Sequence, residues 1–237
     1  MQNKIDLEKP TIITFMAESC VWKDTTIHNF MSNTPNSQQI YNVMTRPLRE
    51  TDDKNYCKSI SEKEYLRMKN NNEFVSYTDN TYKKDDNTTE TIYYWSPKEN
   101  LLPKHIYLWY STRKSLEESP IDTNLYNVFR FMLYLSDESE RIKRASQRIK
   151  EELLKTLRID DSIDDSKKYT SPYNVLSFAK FIQSETDKFL AKRKWFDNEI
   201  KNLRTDSEFL SKHNIVLIDA SSSVEETVSQ IKNHIWL

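Results

Sequence analysis

Three observations predict an α/β fold, with a parallel sheet at its centre and helices on its flanks. Short apolar runs rich in β-branched and aromatic residues recur along the chain, and helical stretches separate them. Two central runs, HIYLWY at 105–110 and YNVFRFMLYL at 126–135, are apolar at successive positions, as in strands buried on both faces. The chain closes with a strand-like run, IVLID, ahead of a capped amphipathic helix. Strands that alternate with helices indicate a parallel sheet.

The first half of the chain predicts a strand, a loop and a helix, followed by smaller elements. TIITFM after Pro10 is a short β-rich run, and the helix that follows it is expected over 24–31. Serines precede a helical pattern in 59–70, which predicts a capped helix there. Residues 78–91 are polar and predict an exposed insertion or hairpin.

The second half of the chain is more helical. A strongly charged helix is predicted over 139–157, and a polar linker or cover over 158–168. A long helical pattern runs from Pro172 to about Leu210, and its phenylalanines are expected in the core.

The composition excludes several classes of protein. Aromatic residues make up 12% of the chain, too many for a disordered protein. The net charge of −1 gives no general attraction to nucleic acid or to an anionic membrane. The apolar runs fall far short of the ~20 residues of a membrane span, and the first residues lack the pattern of a signal peptide. We therefore expect a cytoplasmic protein with neither nucleic acid nor membrane as a partner.

Glycine is completely absent from the 237 residues, although average usage predicts roughly 17. Glycine supplies backbone conformations with φ > 0 and close approaches that no side chain permits. Loops that cradle phosphate groups depend on both properties. Two explanations stay open: natural loss, and deliberate exclusion by engineering or by generating the sequence under a constraint.

The loop after the first strand, MAESCVWKDTT at 16–26, lies where a phosphate-binding P-loop would lie. In the pattern G-x-x-x-x-G-K-[ST], Ala17 and Trp22 stand at the two glycines and Lys23 at the lysine. Asp24 stands at the Ser/Thr position, where its oxygens could coordinate Mg²⁺. The bulky Trp22 is expected to resist the φ > 0 conformation common at that glycine. Taken alone, the loop matches the pattern only at Lys23 and favours a solvated lysine at a strand–helix turn.

A second group of residues follows in order along the chain. Arg46 and Arg49, with Tyr56 behind them, would form a phosphate clamp, because guanidinium groups bind oxygens in pairs and a phenol adds a donor. The further motifs are EFVSY at 73–77, YYWSPKE at 93–99 and, after a predicted strand, SERIKRASQR at 139–148.

In this order the motifs resemble the guanylate kinase family. That family has a P-loop, T-R-x-x-R, a tyrosine, E-F-L-E-[YW], Y-Y-G-T-x-K-E and, after a strand, the lid entrance E-R-L-x-R-x-x-x-R. The closing strand and helix are also similar, so that the resemblance covers roughly residues 10–235. It implies one guanylate-kinase-like domain of the P-loop NTPase class over 10–237. Its parts would be a core (10–41, 101–140 and 201–237), a small substrate subdomain (42–100) and a helical lid region (141–200).

The resemblance also implies an activity, phosphoryl transfer from Mg²⁺-bound ATP to GMP, and a set of site residues. The catalytic residues would be Lys23, Arg141, Arg144 and Arg148. The ATP-binding loop would comprise Ala17, Ser19, Cys20, Trp22, Lys23, Asp24 and Thr25, with Asp24 as the Mg²⁺ ligand. The GMP site would comprise Arg46, Arg49, Tyr56, Ser76, Tyr94 and Ser96.

The chain also departs from the family pattern. The glutamate that reads guanine in the family falls at Ser76, and Trp95 replaces the glycine of Y-Y-G-T. An acidic acceptor suits the N1–H and the exocyclic amine of guanine better than a hydroxyl does. Two hypotheses therefore stand: a GMP kinase with an altered P-loop, and a non-catalytic module of the same fold that binds a nucleotide or a protein partner.

Overall fold

The computed structural model describes residues 6, 8–48, 54–83, 89–98, 101–156 and 172–236. The strands are β1 (Thr11–Ala17), β2 (Ser37–Gln39), β3 (Asn42–Met44), β4 (Cys57–Ser59), β5 (Phe74–Lys83), β6 (Thr89–Pro97), β7 (Ile106–Tyr110), β8 (Asn127–Tyr134) and β9 (Ile215–Asp219). The helices are α1 (Lys23–Ser32), α2 (Glu62–Asn70), α3 (Arg113–Glu118), α4 (Glu138–Thr156), α5 (Pro172–Thr205), α6 (Ser207–Lys212) and α7 (Val224–Trp236).

The larger sheet has five parallel strands in the order β2-β7-β1-β8-β9. Its central strand β1 is buried at all seven positions, which its continuous apolar run requires. Alternate residues face opposite sides: Phe15 packs toward α1 and α7, and Met16 packs toward α5 and α6. The predicted parallel sheet with flanking helices is therefore confirmed.

The smaller sheet has the order β4-β3-β6-β5. One of its faces packs against α2, where Tyr65 contacts Phe74 and Trp95 in a cluster of stacked and tilted rings. The predicted cap on α2 is present, since the Ser61 hydroxyl accepts the N–H of Glu64 at 3.2 Å. The hairpin expected within 78–91 is formed by the antiparallel pair β5 and β6, although residues 84–88 lie outside the described part. A substrate-binding role for this region stays a prediction.

Two expectations about the second half need correction. The long helix predicted to about Leu210 ends at Thr205, because the Asp206 side chain accepts the N–H of Phe209 and begins the separate helix α6. Phe181, expected in the core, is 48% exposed.

The linker predicted over 158–168 lies outside the described residues. Among the helices described, none has the length and apolarity needed to cross a membrane.

Candidate functional site

The strongest candidate site lies at the carboxyl end of β1. Strand β1 lies between β7 and β8, with β2 at one edge of the sheet and β9 at the other. The chain runs from β1 to β2 and β7 on one side and then to β8 and β9 on the other, so the strand order reverses at β1. In open parallel sheets, ligands bind at the carboxyl ends of the strands where the order reverses. The loop between β1 and α1 occupies this place.

The loop adopts left-handed backbone conformations without glycine. Trp22 has φ 55° and ψ 33°, and Cys20 has φ 64°. The expectation that Trp22 resists φ > 0 is therefore wrong, although a left-handed non-glycine residue costs about 1–2 kcal/mol. Ala17, at the first glycine of the pattern, is the last residue of β1 and has no positive φ. Positive φ thus occurs at only one of the two motif positions, and Cys20 is the second left-handed residue.

The Trp22 side chain is held from the other side of the cleft. The guanidinium carbon of Arg144 lies 4.2 Å from the centre of the indole ring, a cation–π contact. Arg144 also donates to Glu140 at 2.9 Å, and its side chain is almost fully buried. This stacking ties the loop to α4 and offsets part of the cost of the left-handed conformation.

Lys23 is engaged within the protein. Its Nζ lies 2.7 Å from Asp24 Oδ1 and 3.1 Å from the centre of the Tyr110 ring. Burial lowers the pKa of Lys23, and the neighbouring carboxylate of Asp24 opposes that effect only in part. The ammonium group is therefore directed at a carboxylate and an aromatic face of its own chain.

Asp24 accepts a second hydrogen bond at the same oxygen, from the Tyr110 hydroxyl at 2.9 Å. Partial desolvation at the start of α1 would raise the pKa of Asp24, but Lys23 and the two hydrogen bonds lower the pKa overall. Burial raises the pKa of Tyr110, and Asp24 adds to the rise. The three side chains form a compact polar cluster at the start of α1.

A buried acidic side chain from α5 accepts a hydrogen bond from the loop backbone. Asp197 of α5 is 1% exposed, and its Oδ1 accepts the N–H of Ser19 at 2.8 Å. Its Oδ2 accepts from the guanidinium of Arg141 at 2.7 Å, and Arg141 also pairs with Glu138. The predicted catalytic residue Arg141 is 8% exposed. It connects α4 to α5 through Asp197, which in turn accepts the N–H of Ser19 in the loop.

A second acid is buried in the loop. Glu18 is 4% exposed and lies 3.4 Å from Arg204. Burial raises the pKa of the Glu18 carboxyl, against the lowering effect of Arg204. Two buried acidic side chains, Glu18 of the loop and Asp197 of α5, therefore lie close to the loop backbone.

A cleft of about 570 Å³ opens between the loop, α4 and α5. It is bordered by all seven residues predicted for the ATP-binding loop and by Arg144 and Arg148, but not by Arg141. The α5 side contributes Arg193, whose guanidinium lies 4.5 Å from the centre of the Phe189 ring. Arg148 lies over the same ring at 5.4 Å. Arg144, Arg148 and Arg193 border the cleft together with the acids Glu18, Asp24 and Glu151, and its aromatic side chains are Trp22 and Phe196.

Sequence reasoning missed the residues that α5 contributes. Arg193, Phe196 and Asp197 reach the cleft or the loop, and the Ser19–Asp197 contact joins residues 178 positions apart. A helix-period pattern indicates a helix but not what it packs against. The one available signal was the four-residue spacing of Arg193 and Asp197, which places both side chains on one helix face.

The residues predicted for GMP lie in and around the small sheet. Ser76 pairs with Ser96, and Thr78 with Tyr94, in the β5–β6 register, so that Ser76, Tyr94 and Ser96 share one face. Ser76 is 1% exposed and donates to the Ser119 carbonyl at 2.6 Å. Ser96 is fully buried and donates to Asn42 at 3.4 Å. Both hydroxyls are engaged inside the protein.

Arg46 and Tyr94 are brought together, since Arg46 Nε donates to the Tyr94 hydroxyl at 3.3 Å. Tyr56 lines a different cavity of about 460 Å³, with Tyr41, Tyr107 and amide side chains. Arg49, the other half of the expected clamp, lies outside the described residues. Within the described part, no three His, Cys, Asp or Glu side chains gather as they would around a metal ion.

No protein-family model matches the chain, and no curated protein matches it. Among solved structures, the chain is similar to guanylate kinase from Anaplasma phagocytophilum. The identity is 13% and the TM-score 0.44, over 97% of this chain and 86% of that one. A likeness at this level carries no information about ligand or activity.

Proposed function

We propose that the protein binds the phosphates of a nucleotide in the cleft beside the β1–α1 loop and transfers a phosphoryl group from ATP to GMP. One observation carries this proposal: the cleft at the carboxyl end of the central strand is bordered by Arg144, Arg148 and Arg193 together with the loop. Guanidinium groups bind phosphate oxygens in pairs, and the start of α1 adds a favourable dipole. The motif order along the chain supports the choice of GMP as acceptor.

Catalysis of this reaction needs little covalent chemistry from the protein. Phosphoryl transfer is accelerated mainly by positioning the reactants and neutralising charge on the transferred group. Arg144 and Arg148 would neutralise that charge from α4, and Lys23 would do so after leaving Asp24. Arg141 does not border the cleft and would act indirectly, through Asp197 and the hydrogen bond from the Ser19 N–H to Asp197.

Asp24 fits a Mg²⁺ site of the kind that phosphate-transferring enzymes use. Mg²⁺ is usually held by one or two carboxylates together with substrate phosphates and water. The Asp24 side chain is 70% exposed at the start of α1, and would supply one such oxygen. The ion would neutralise charge on the phosphates.

On the acceptor side, Arg46, Arg49, Tyr56 and Tyr94 would bind the phosphate of GMP. The contact between Arg46 and Tyr94 supports a shared role for these two. The hydroxyls of Ser76 and Ser96 are buried and donate within the protein, so they would supply neither charge nor a hydrogen bond to the base. We expect weaker discrimination among bases than a carboxylate would give.

A second candidate is a non-catalytic module that binds a nucleotide or a protein partner. The arrangement of the loop favours it: Lys23 is paired with Asp24, and the Ser19 N–H is bound by Asp197. In this case the arginines of the cleft would bind an anionic ligand without transferring phosphate.

A coupled assay of ADP release separates the two candidates. It uses Mg–ATP with each of GMP, dGMP, AMP, UMP and CMP, on protein whose folding is verified by circular dichroism. Release of ADP that depends on GMP supports the kinase. ADP release at background with every acceptor overturns the kinase proposal, and titration calorimetry with ATP and GMP then tests the binding module.

A further inference from the structure

The carboxylate of Asp197 has an unusual position for an acidic side chain. It is fully buried, it accepts the N–H of Ser19 in the loop, and its other oxygen accepts from Arg141. Loop N–H groups between a strand and the start of a helix are the groups that bind phosphate oxygens in nucleotide sites. A carboxylate of the protein therefore accepts a loop N–H group that an anionic ligand could otherwise use.

The neighbouring groups agree with this interpretation. The Ser19 hydroxyl is buried and has no hydrogen-bond partner among the described residues, although Ser19 borders the cleft. Glu18 places a second buried carboxyl beside the same backbone. A phosphate oxygen at the Ser19 N–H would replace the Asp197 carboxylate and would lie close to both acids.

We propose that Asp197 determines the affinity of the cleft for phosphate: its carboxylate competes with the ligand for the N–H of Ser19, which borders the cleft. Ligand binding at the loop then requires that α5 releases this contact. The inference rests on the proposed function only in that the cleft takes a polyphosphate, and it holds whether or not phosphate is transferred. It adds a determinant to the cleft that the loop motif does not contain.

The test compares Asp197→Asn with Asp187→Asn by titration calorimetry with inorganic tripolyphosphate. Asp187 lies on the same helix, is exposed and pairs with Gln183, so its variant matches the change of charge away from the loop. Removal of one negative charge at contact distance is expected to tighten tripolyphosphate binding by about 10-fold or more in Asp197→Asn. Asp187→Asn is expected to bind as the wild type does.

A conservative variant separates charge from loosened packing. Asp197→Glu keeps the negative charge and is expected to retain the weak binding of the wild type. Equal gains in Asp197→Asn and Asp197→Glu would assign the effect to a loosened helix and overturn the proposal. Equal binding by Asp197→Asn and Asp187→Asn, or no binding by any variant, overturns it as well.

Loss of a buried ion-pair partner can unfold a protein, so the wild type provides a second measurement. Tripolyphosphate is titrated into isotopically labelled protein while the amide resonance of Ser19 is followed. A shift that saturates with the ligand supports the displacement of Asp197, and an unmoved Ser19 amide at the highest concentration overturns it. ADP release dependent on GMP with unchanged affinities would refute this inference alone, while tighter binding without ADP release would refute only the kinase.

Discussion

The β1–α1 cleft and the polar face of the small sheet both carry residues that the sequence assigns to nucleotide binding, but they differ in what these residues contact. In the cleft, the predicted residue Arg148 borders open space beside Arg193, which the sequence did not indicate. On the small sheet, the hydroxyls of Ser76 and Ser96 are buried and donate to groups of the protein. Residue type alone therefore does not indicate which side chains can hydrogen-bond to a ligand, because tertiary packing decides which groups reach solvent.

The largest expected effect concerns the packing beneath the small sheet. Trp95 is 1% exposed among Tyr65 and Phe74, so Trp95→Ala should lower the free energy of unfolding by about 3–5 kcal/mol. Trp195, 78% exposed, supplies the matched control: Trp195→Ala should change stability by less than about 0.5 kcal/mol. Urea denaturation measures both. A loss of stability in Trp95→Ala as small as that in Trp195→Ala would show that the small sheet has no packed core of its own.

The next largest effect concerns Arg193, which borders the β1–α1 cleft. Arg193→Ala should weaken binding of tripolyphosphate about 10-fold, because a charge-assisted hydrogen bond is lost. Lys194→Ala removes the same charge from the adjacent position, which does not border the cleft, and should leave the affinity unchanged. Titration calorimetry at constant ionic strength measures both. Equal weakening would reduce the role of Arg193 to general electrostatic attraction.

A smaller effect tests whether the polar face of the small sheet is engaged internally. Ser76→Ala should lower the free energy of unfolding by about 1 kcal/mol, since the Ser119 carbonyl loses its donor. The affinity for GMP should not change, because the hydroxyl is buried. Ser211→Ala, at an exposed position of α6, is the control and should leave stability unchanged. A selective loss of GMP affinity in Ser76→Ala would instead assign this serine to base recognition.

The smallest effect concerns backbone strain in the loop. Cys20→Gly should raise the free energy of unfolding by about 0.5 kcal/mol, because relief of the strain at φ 64° outweighs the larger backbone entropy that glycine loses on folding. Cys57 lies in strand β4 without positive φ, and Cys57→Gly should lower stability by about 0.5–1 kcal/mol. Urea denaturation under reducing conditions compares the two. A loss in both variants would mean that side-chain contacts of Cys20 outweigh the strain.

Much of the fold followed from local patterns. The run TIITFM predicted β1, which is buried on both faces, and the run IVLID predicted β9. β9 lies at the edge of the sheet, where Leu217 is exposed, so its expected place in the core is only partly realised. The loop between β1 and α1 was placed correctly as well. The end of α5 at Thr205 was not predicted, because the cap at Asp206 lies inside a continuous helical pattern.

For the candidate site, the sequence by itself determined the strand–loop–helix with Lys23 at its end and the arginines of α4, since these depend on neighbouring residues. Only the tertiary structure decided that Lys23 turns to Asp24 and Tyr110, and that Asp197 binds the loop 178 residues away. It also decided that Arg193 joins the cleft and that Ser76 is buried. The physical reason is that periodicity reports which side of a helix or strand is apolar. Partners are set by which elements pack together, and that depends on the whole chain.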